Sequence, residues 1–236
     1  IKFLKNLNQR VELMVWVELI VINIKMNNIK DPLQILQIWF SSSFPVGSYA
    51  YSHGLEAIID NKLINNKNDV EEFLNALLFN GTLRNEYIFI KSIYEGKEIN
   101  NLILSSASSK ERQIEMVDMG NSFRKIMKQS WDFELAENTA FTYCLTKAAI
   151  HFNIKFDYLI KFYLQSFISN LINVCVKHIP ISQKDGQKLN VIFINQIQDF
   201  LQKSEKLNLE DIGSTFFIGD LFSIKHENLE TRIYLT

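Results

Sequence analysis

Four histidines, His53, His151, His178 and His226, and two cysteines, Cys144 and Cys175, are the side chains best able to ligate a metal or move a proton in this chain. None of the histidines forms His-x-x-x-His, and none pairs with a cysteine at metal-ligand spacing. His53 with Glu56, and His226 with Glu230, could each share a helical face, because residues three or four apart are neighbours there. Two donors from one helix do not define a site, so a solvated pair is the plainer reading of each. Ser52-His53 invites a nucleophile-and-base reading, but adjacent side chains diverge, and no Gly-x-Ser-x-Gly elbow exists. Ser52 therefore reads as a capping or packing hydroxyl. No Gly-x-x-x-x-Gly-Lys-Ser/Thr loop is present, so the chain lacks that phosphate-cradling motif. The cysteines lack a Cys-x-x-Cys neighbour and read as small buried hydrophobes of a reducing compartment.

The residues that carry information are of a different kind. Of eight glycines and three prolines in the chain, Gly47, Gly54 and Pro45 fall within one ten-residue stretch. Proline fixes φ and glycine allows conformations or approaches that a Cβ blocks, so Phe44–Glu56 reads as a shaped loop. Tyr49 and Tyr51 lie within it, large amphipathic rings suited to a contact surface. A second such block is Lys177–Lys188, with Pro180 and Gly186. Gly120 sits at a helical position, where it could serve internal packing or a dimer contact. The C-terminal stretch Glu227–Thr236 ends in Arg232, Ile233, Tyr234 and Leu235, apolar for a terminus, and reads as docked either on its own core or on a partner.

These segments must be held by helices. Asp31-Pro32 is an N-cap followed by proline, with Leu33, Leu36 and Phe40 on one face. Val70, Phe73, Leu74, Leu77 and Leu78 keep helical spacing behind a cap at Asn68 with Glu71, and Ser108 with Glu111 forms a second capping pattern ahead of Met116, Met119 and Phe123. Three more apolar stripes begin at Phe141, Leu159 and Leu189, the second ended by Pro180. No internal repeat and no sustained period-two alternation appear beyond the first residues. The expectation is an all-α, single-domain bundle of about eight to ten helices over residues 26–236. Ile1–Lys25 reads as an N-terminal extension or start-site artefact: Glu12 and Glu18 interrupt its apolar run, which is too short to span a bilayer. A net charge of −1, with both signs interspersed, supports no nucleic-acid footprint, and 47% hydrophobic residues do not suit a pure membrane protein. The absence of a credible targeting segment argues for the cytoplasm.

The string Pro45-x-Gly47-Ser-Tyr49-x-x-Ser52-x-Gly54-Leu55-Glu56 resembles the N-terminal signature of the UreF family of urease accessory proteins. Gly120-Asn-Ser-Phe-Arg124, Lys177-x-x-Pro180-x-x-Gln183-x-x-Gly186-Gln187 and the Arg232-Ile233-Tyr234 tail resemble further blocks of that family, in its order. The resemblance implies a non-catalytic, cofactor-free scaffold, a homodimer that joins UreD (UreH in some lineages) and recruits the GTPase UreG. The assembly would deliver nickel to the urease apoprotein. It further implies that Pro45, Gly47, Tyr49, Ser52, Gly54, Leu55, Glu56, Lys177, Pro180, Gln183, Gly186 and Gln187 contribute to the UreG-facing surface. Arg232, Ile233 and Tyr234 would belong to the tail that meets UreD/UreH. A helical enzyme with an interior pocket, or an adaptor for another metalloenzyme, is the alternative; perturbed titratable groups converging in a large cavity would favour the enzyme.

Overall fold

A computed structural model describes residues 31–227, 229 and 232–235. The extension Ile1–Lys25 lies outside the described residues. Within them the chain forms ten α-helices and two 3₁₀ turns, with no strand. The helices are α1 (Pro32–Trp39), α2 (Leu55–Asp60), α3 (Lys67–Asn80), α4 (Thr82–Tyr94), α5 (Asn100–Ser105), α6 (Lys110–Ser130), α7 (Phe141–His151), α8 (Phe156–His178), α9 (Gln183–Lys203) and α10 (Phe217–His226). The expected all-α bundle is what the chain builds.

The first helix starts where the sequence places it: the Asp31 carboxylate accepts from the Leu33 N–H at 2.9 Å, with Pro32 in the first turn. Its buried face is Ile35, Leu36 and Trp39, whereas Leu33 is 45% exposed. The inward rotation is set by Trp39, whose ring meets Phe123, Trp131 and Phe152 edge-on at centroid distances of 5.5, 5.5 and 5.8 Å. Two caps fall earlier or later than expected. Asn66, not Asn68, caps α3, its side chain accepting from the N–H groups of Asn68 and Asp69. Ser109, not Ser108, caps α6 by accepting from the Arg112 N–H at 3.1 Å. Both sites are runs of cap-competent residues, and tertiary packing chooses among them.

Helix α8 is the axis of the bundle. Leu159, Ile160, Leu164, Ile168, Leu171, Ile172 and Cys175 on it are fully buried, and α1, α2, α3, α4 and α9 pack around it. By length and composition this helix could cross a membrane, yet half of its most apolar stretch is buried inside the protein, as a core helix requires. Gly120 serves internal packing. A Cβ there would stand 1.9 Å from the Thr139 carbonyl oxygen, so glycine lets the segment leading into α7 lie directly on α6.

Candidate functional site

The loop after α1 is a chain of special conformations. Gly47 (φ 79°) caps the 3₁₀ turn Ser48–Ala50, and His53 (φ 55°) and Gly54 (φ 77°) turn the chain into α2. Gly54 is required twice over, since a Cβ would also fall 2.7 Å from the Ser223 nitrogen of α10. From α8, Asn170 Nδ2 donates to the carbonyls of Ser48 (3.1 Å) and Tyr51 (3.3 Å), fixing the loop's path. Pro45, Gly47 and the half-exposed Tyr49 face outward, while Tyr51, Ser52, Gly54, Leu55 and Glu56 are buried. Ser52 acts as the expected capping hydroxyl, its Oγ accepting from the Glu56 N–H at 3.3 Å.

The C-terminal tail lies against this loop. Glu56 accepts the backbone N–H groups of Ile233 (2.8 Å) and Tyr234 (3.1 Å), and Ala50 offers its carbonyl to Leu235 N–H at 2.8 Å. Tyr234 is buried, its ring edge-on to His178 at the end of α8. The fully buried His226 ring bridges two carboxylates, with Nε2 3.1 Å from Glu56 and Nδ1 2.9 Å from Glu111. Arg232 adds a bond to Glu111 at 2.5 Å. Burial would raise the Glu56 carboxyl, but donors from Ile233, His226 and Tyr234 outweigh it and hold it below the usual carboxylate range. The sequence pairing of His53 with Glu56 does not form, and His226 finds partners 170 and 115 residues away. Its Glu230 pairing falls outside the described residues.

Behind the loop lies a buried polar centre that the sequence reading missed. Arg112 Nη1 donates to Glu115 and, at 2.8 Å, to His53 Nδ1, while Nη2 stands 3.8 Å from Glu86. Glu86 accepts from the Thr142 hydroxyl, itself 3.3 Å from the Tyr163 hydroxyl. Against the cost of burial, Arg112 holds the Glu115 carboxyl down to about 2, whereas burial wins at Glu86 and raises it. Burial lowers His53 and pushes the Tyr51 hydroxyl up to about 12. The available signal was Arg112 and Glu115 flanking Met116 and Met119 on the apolar face of α6, where unpaired charges are not tolerated. These groups border a cavity of about 70 Å³, and Tyr49 stands between it and an outer groove of about 710 Å³. The inner space is far below the several hundred Å³ of a typical substrate pocket. Its charged groups, Arg112, Glu115 and Glu86, are tied to one another and to His53.

The family model UreF matches residues 64–191, the helices α3 to α8 with the first turns of α9. The chain belongs to the UreF family. A urease accessory protein UreF from Ruegeria pomeroyi is 30% identical over 211 residues, which span 86% of this chain and 97% of that relative. UreF proteins from Jannaschia sp. and Roseobacter denitrificans are 29% and 26% identical over 85% and 87% of this chain.

On this UreF bundle, the tail connects the two blocks singled out in the sequence, resting on Ala50 and Glu56 of the loop and on His178 of the second block. Lys177, Pro180, Gln183 and Gln187 are exposed. Gly186 is buried, where a Cβ would meet Val176 at 2.8 Å, so it packs α9 on α8. Of the residues expected to form a contact surface, Ser52, Gly54, Leu55, Glu56, Gly186 and Tyr234 are thus inside the protein, and any influence they have on a partner passes through the residues they position. Arg124, from the helix block, pairs with Glu137 at 3.0 Å. Among the described residues no group of three or more His, Cys, Asp or Glu is arranged to hold a metal ion.

Proposed function

We propose that this UreF-family chain is a non-catalytic cytoplasmic scaffold in urease maturation. It forms a homodimer, joins UreD/UreH through its C-terminal face and recruits UreG, whose GTP hydrolysis accompanies delivery of nickel to the urease apoprotein. Nickel is cargo of the assembly in this reading, and the nucleotide belongs to UreG, because the chain has no phosphate-binding loop.

The observation that carries the reading is the continuity of one surface on a chain of this family. Exposed Pro45, Gly47 and Tyr49 surround the loop, the tail lies on it, and beyond the tail α10 turns outward Phe217 (73% exposed), Leu221 (50%) and Ile224 (48%), one turn apart. Ile233 and Leu235 are also exposed. Apolar residues concentrated in this way favour burial against another protein.

Size-exclusion chromatography with light scattering, on the chain mixed with its UreD/UreH and UreG, tests the proposal. A ternary complex should form, truncation after Glu227 should cost it UreD/UreH, and Tyr49→Ala should cost it UreG. An intact, folded chain that binds neither partner would overturn it.

A further inference from the structure

His53 occupies an unusual position. It is a non-glycine residue at positive φ, in the middle of the loop, with its ring stacked on Phe167 of α8 at 4.3 Å. Its Nδ1 lies 2.8 Å from Arg112 Nη1; a guanidinium can only donate, so this contact is a hydrogen bond only when the imidazole is neutral and protonated on Nε2. The loop is therefore tied to α6 by a bond that exists only while His53 lacks a proton on Nδ1.

We propose that His53 is a proton-operated catch, holding the loop Gly47–Glu56 to Arg112 when neutral and releasing it when protonated in mildly acidic solution.

The groups facing the ring decide the direction. From α6 come Arg112 and Glu115, the latter 3.3 Å from Nδ1. Glu86 of α4 reaches the ring only through Arg112, and α8 presents Tyr163 and the uncharged Phe167. Tyr51 lies on the loop itself, and Glu56, at its end, faces His226 of α10. A proton on Nδ1 would point an N–H at the Arg112 donors and add a second buried cation. The nearest counter-ion, Glu115, is already engaged by Arg112. Glu86 is held toward its neutral form by burial and offers little compensation. Burial likewise keeps the native His53 below its ordinary range, so the open loop binds the proton better than the closed one. The inference concerns the loop's own opening and stands whether or not the partner reading does.

The test is hydrogen exchange of the full chain, read as protection factors so that intrinsic pH effects cancel. The reporters are the amides of Ala50, Leu55 and Glu56, which are bonded within the loop. Between pH 7.5 and 5.5 their protection should fall by up to about tenfold, the limit for one histidine released from a lowered pKa. His53→Asn, whose amide oxygen can accept from Arg112 and whose backbone tolerates positive φ, should flatten the response. Flat protection in the unaltered chain overturns the proposal, as does an undiminished slope in His53→Asn. A slope abolished instead by His226→Asn places the sensor in the tail and likewise overturns it. Should His53→Asn fail to fold, an NMR titration of the His53 ring in the unaltered chain decides: the ring must stay neutral while loop protection begins to fall and titrate only below that point, and a ring that titrates at the ordinary histidine value refutes the catch.

Discussion

Glu56 and His226, 170 residues apart in sequence, meet at 3.1 Å with the imidazole wholly buried, and this contact closes the C-terminal tail onto the N-terminal loop. Glu56 spends its remaining acceptor capacity on the Ile233 and Tyr234 amides. One carboxylate thus joins α2, α10 and the tail.

Removing that carboxylate should undo the tail before it undoes the fold. Glu56→Ala leaves two tail amides and a buried imidazole without their acceptor, each a loss of about 1–3 kcal/mol. The expected outcome is rapid proteolytic trimming behind Glu227 and lost exchange protection at Ile233–Leu235, with the helical signal retained. A tail as protected as in the unaltered chain would show that other contacts hold it.

The same carboxylate sets an acid limit. A depressed folded pKa contributes stability that is present above the unfolded carboxylate value and lost as pH falls through the folded one. The part of tail protection that depends on the Glu56 charge should therefore disappear only below about pH 4, the ordinary carboxylate range, whatever the loop does at higher pH. Protection measured across that range, with Glu56→Gln as the non-titrating control, checks the sign.

Arg112 is predicted to be more costly than any exposed basic residue. Arg112→Met strands Glu115, which is buried and whose carboxyl is held at about 2 chiefly by the Arg112 charge working against desolvation. Breaking one side of such a pair costs about 3–5 kcal/mol, and replacing both partners with apolar side chains recovers much of it. Urea unfolding of Arg112→Met and of the double variant with Glu115→Leu should show that recovery; equal losses would mean the pair itself is stabilising.

Two glycines offer a contrast of mechanism. At Gly120 a new methyl meets the backbone oxygen of Thr139, which can move only with the segment it belongs to, so Gly120→Ala should cost about 2–4 kcal/mol despite better helix propensity. At Gly186 the obstacle is the Val176 side chain, and the gain in propensity, about 1 kcal/mol, offsets much of the clash. Gly186→Ala should shift the unfolding midpoint by far less, and the reverse ranking would contradict the packing described above.

The outward face of α10 should matter to assembly and not to folding. Phe217→Glu with Leu221→Glu replaces exposed apolar side chains, so the melting temperature of the isolated chain should change little, surface substitutions being within about 0.5 kcal/mol each. If the proposed assembly holds, capture of UreD/UreH is lost. Unimpaired capture would move the contact elsewhere on the molecule.

The helices were legible in the sequence because their signals are local. Pro32 behind Asp31 starts a helix whatever lies nearby, and the stripes on α8 and α9 have the helical period in the chain itself. Gly47 and Gly54 announced positive φ because few other residues adopt it at no cost. The rotation of α1 toward Trp39, and the choice of Asn66 and Ser109 as caps, depended on neighbours brought in from elsewhere, so spacing alone placed them a residue or two away. The polar site was the least legible part. Arg112 with His53, and Glu56 with His226 and the tail, are pairs of charged groups distant in sequence. Local sequence determines where helices start and stop, because hydrogen bonds within a turn span four residues. Which buried charges meet is decided only when the bundle closes, because that closure removes the water that would otherwise have solvated them apart.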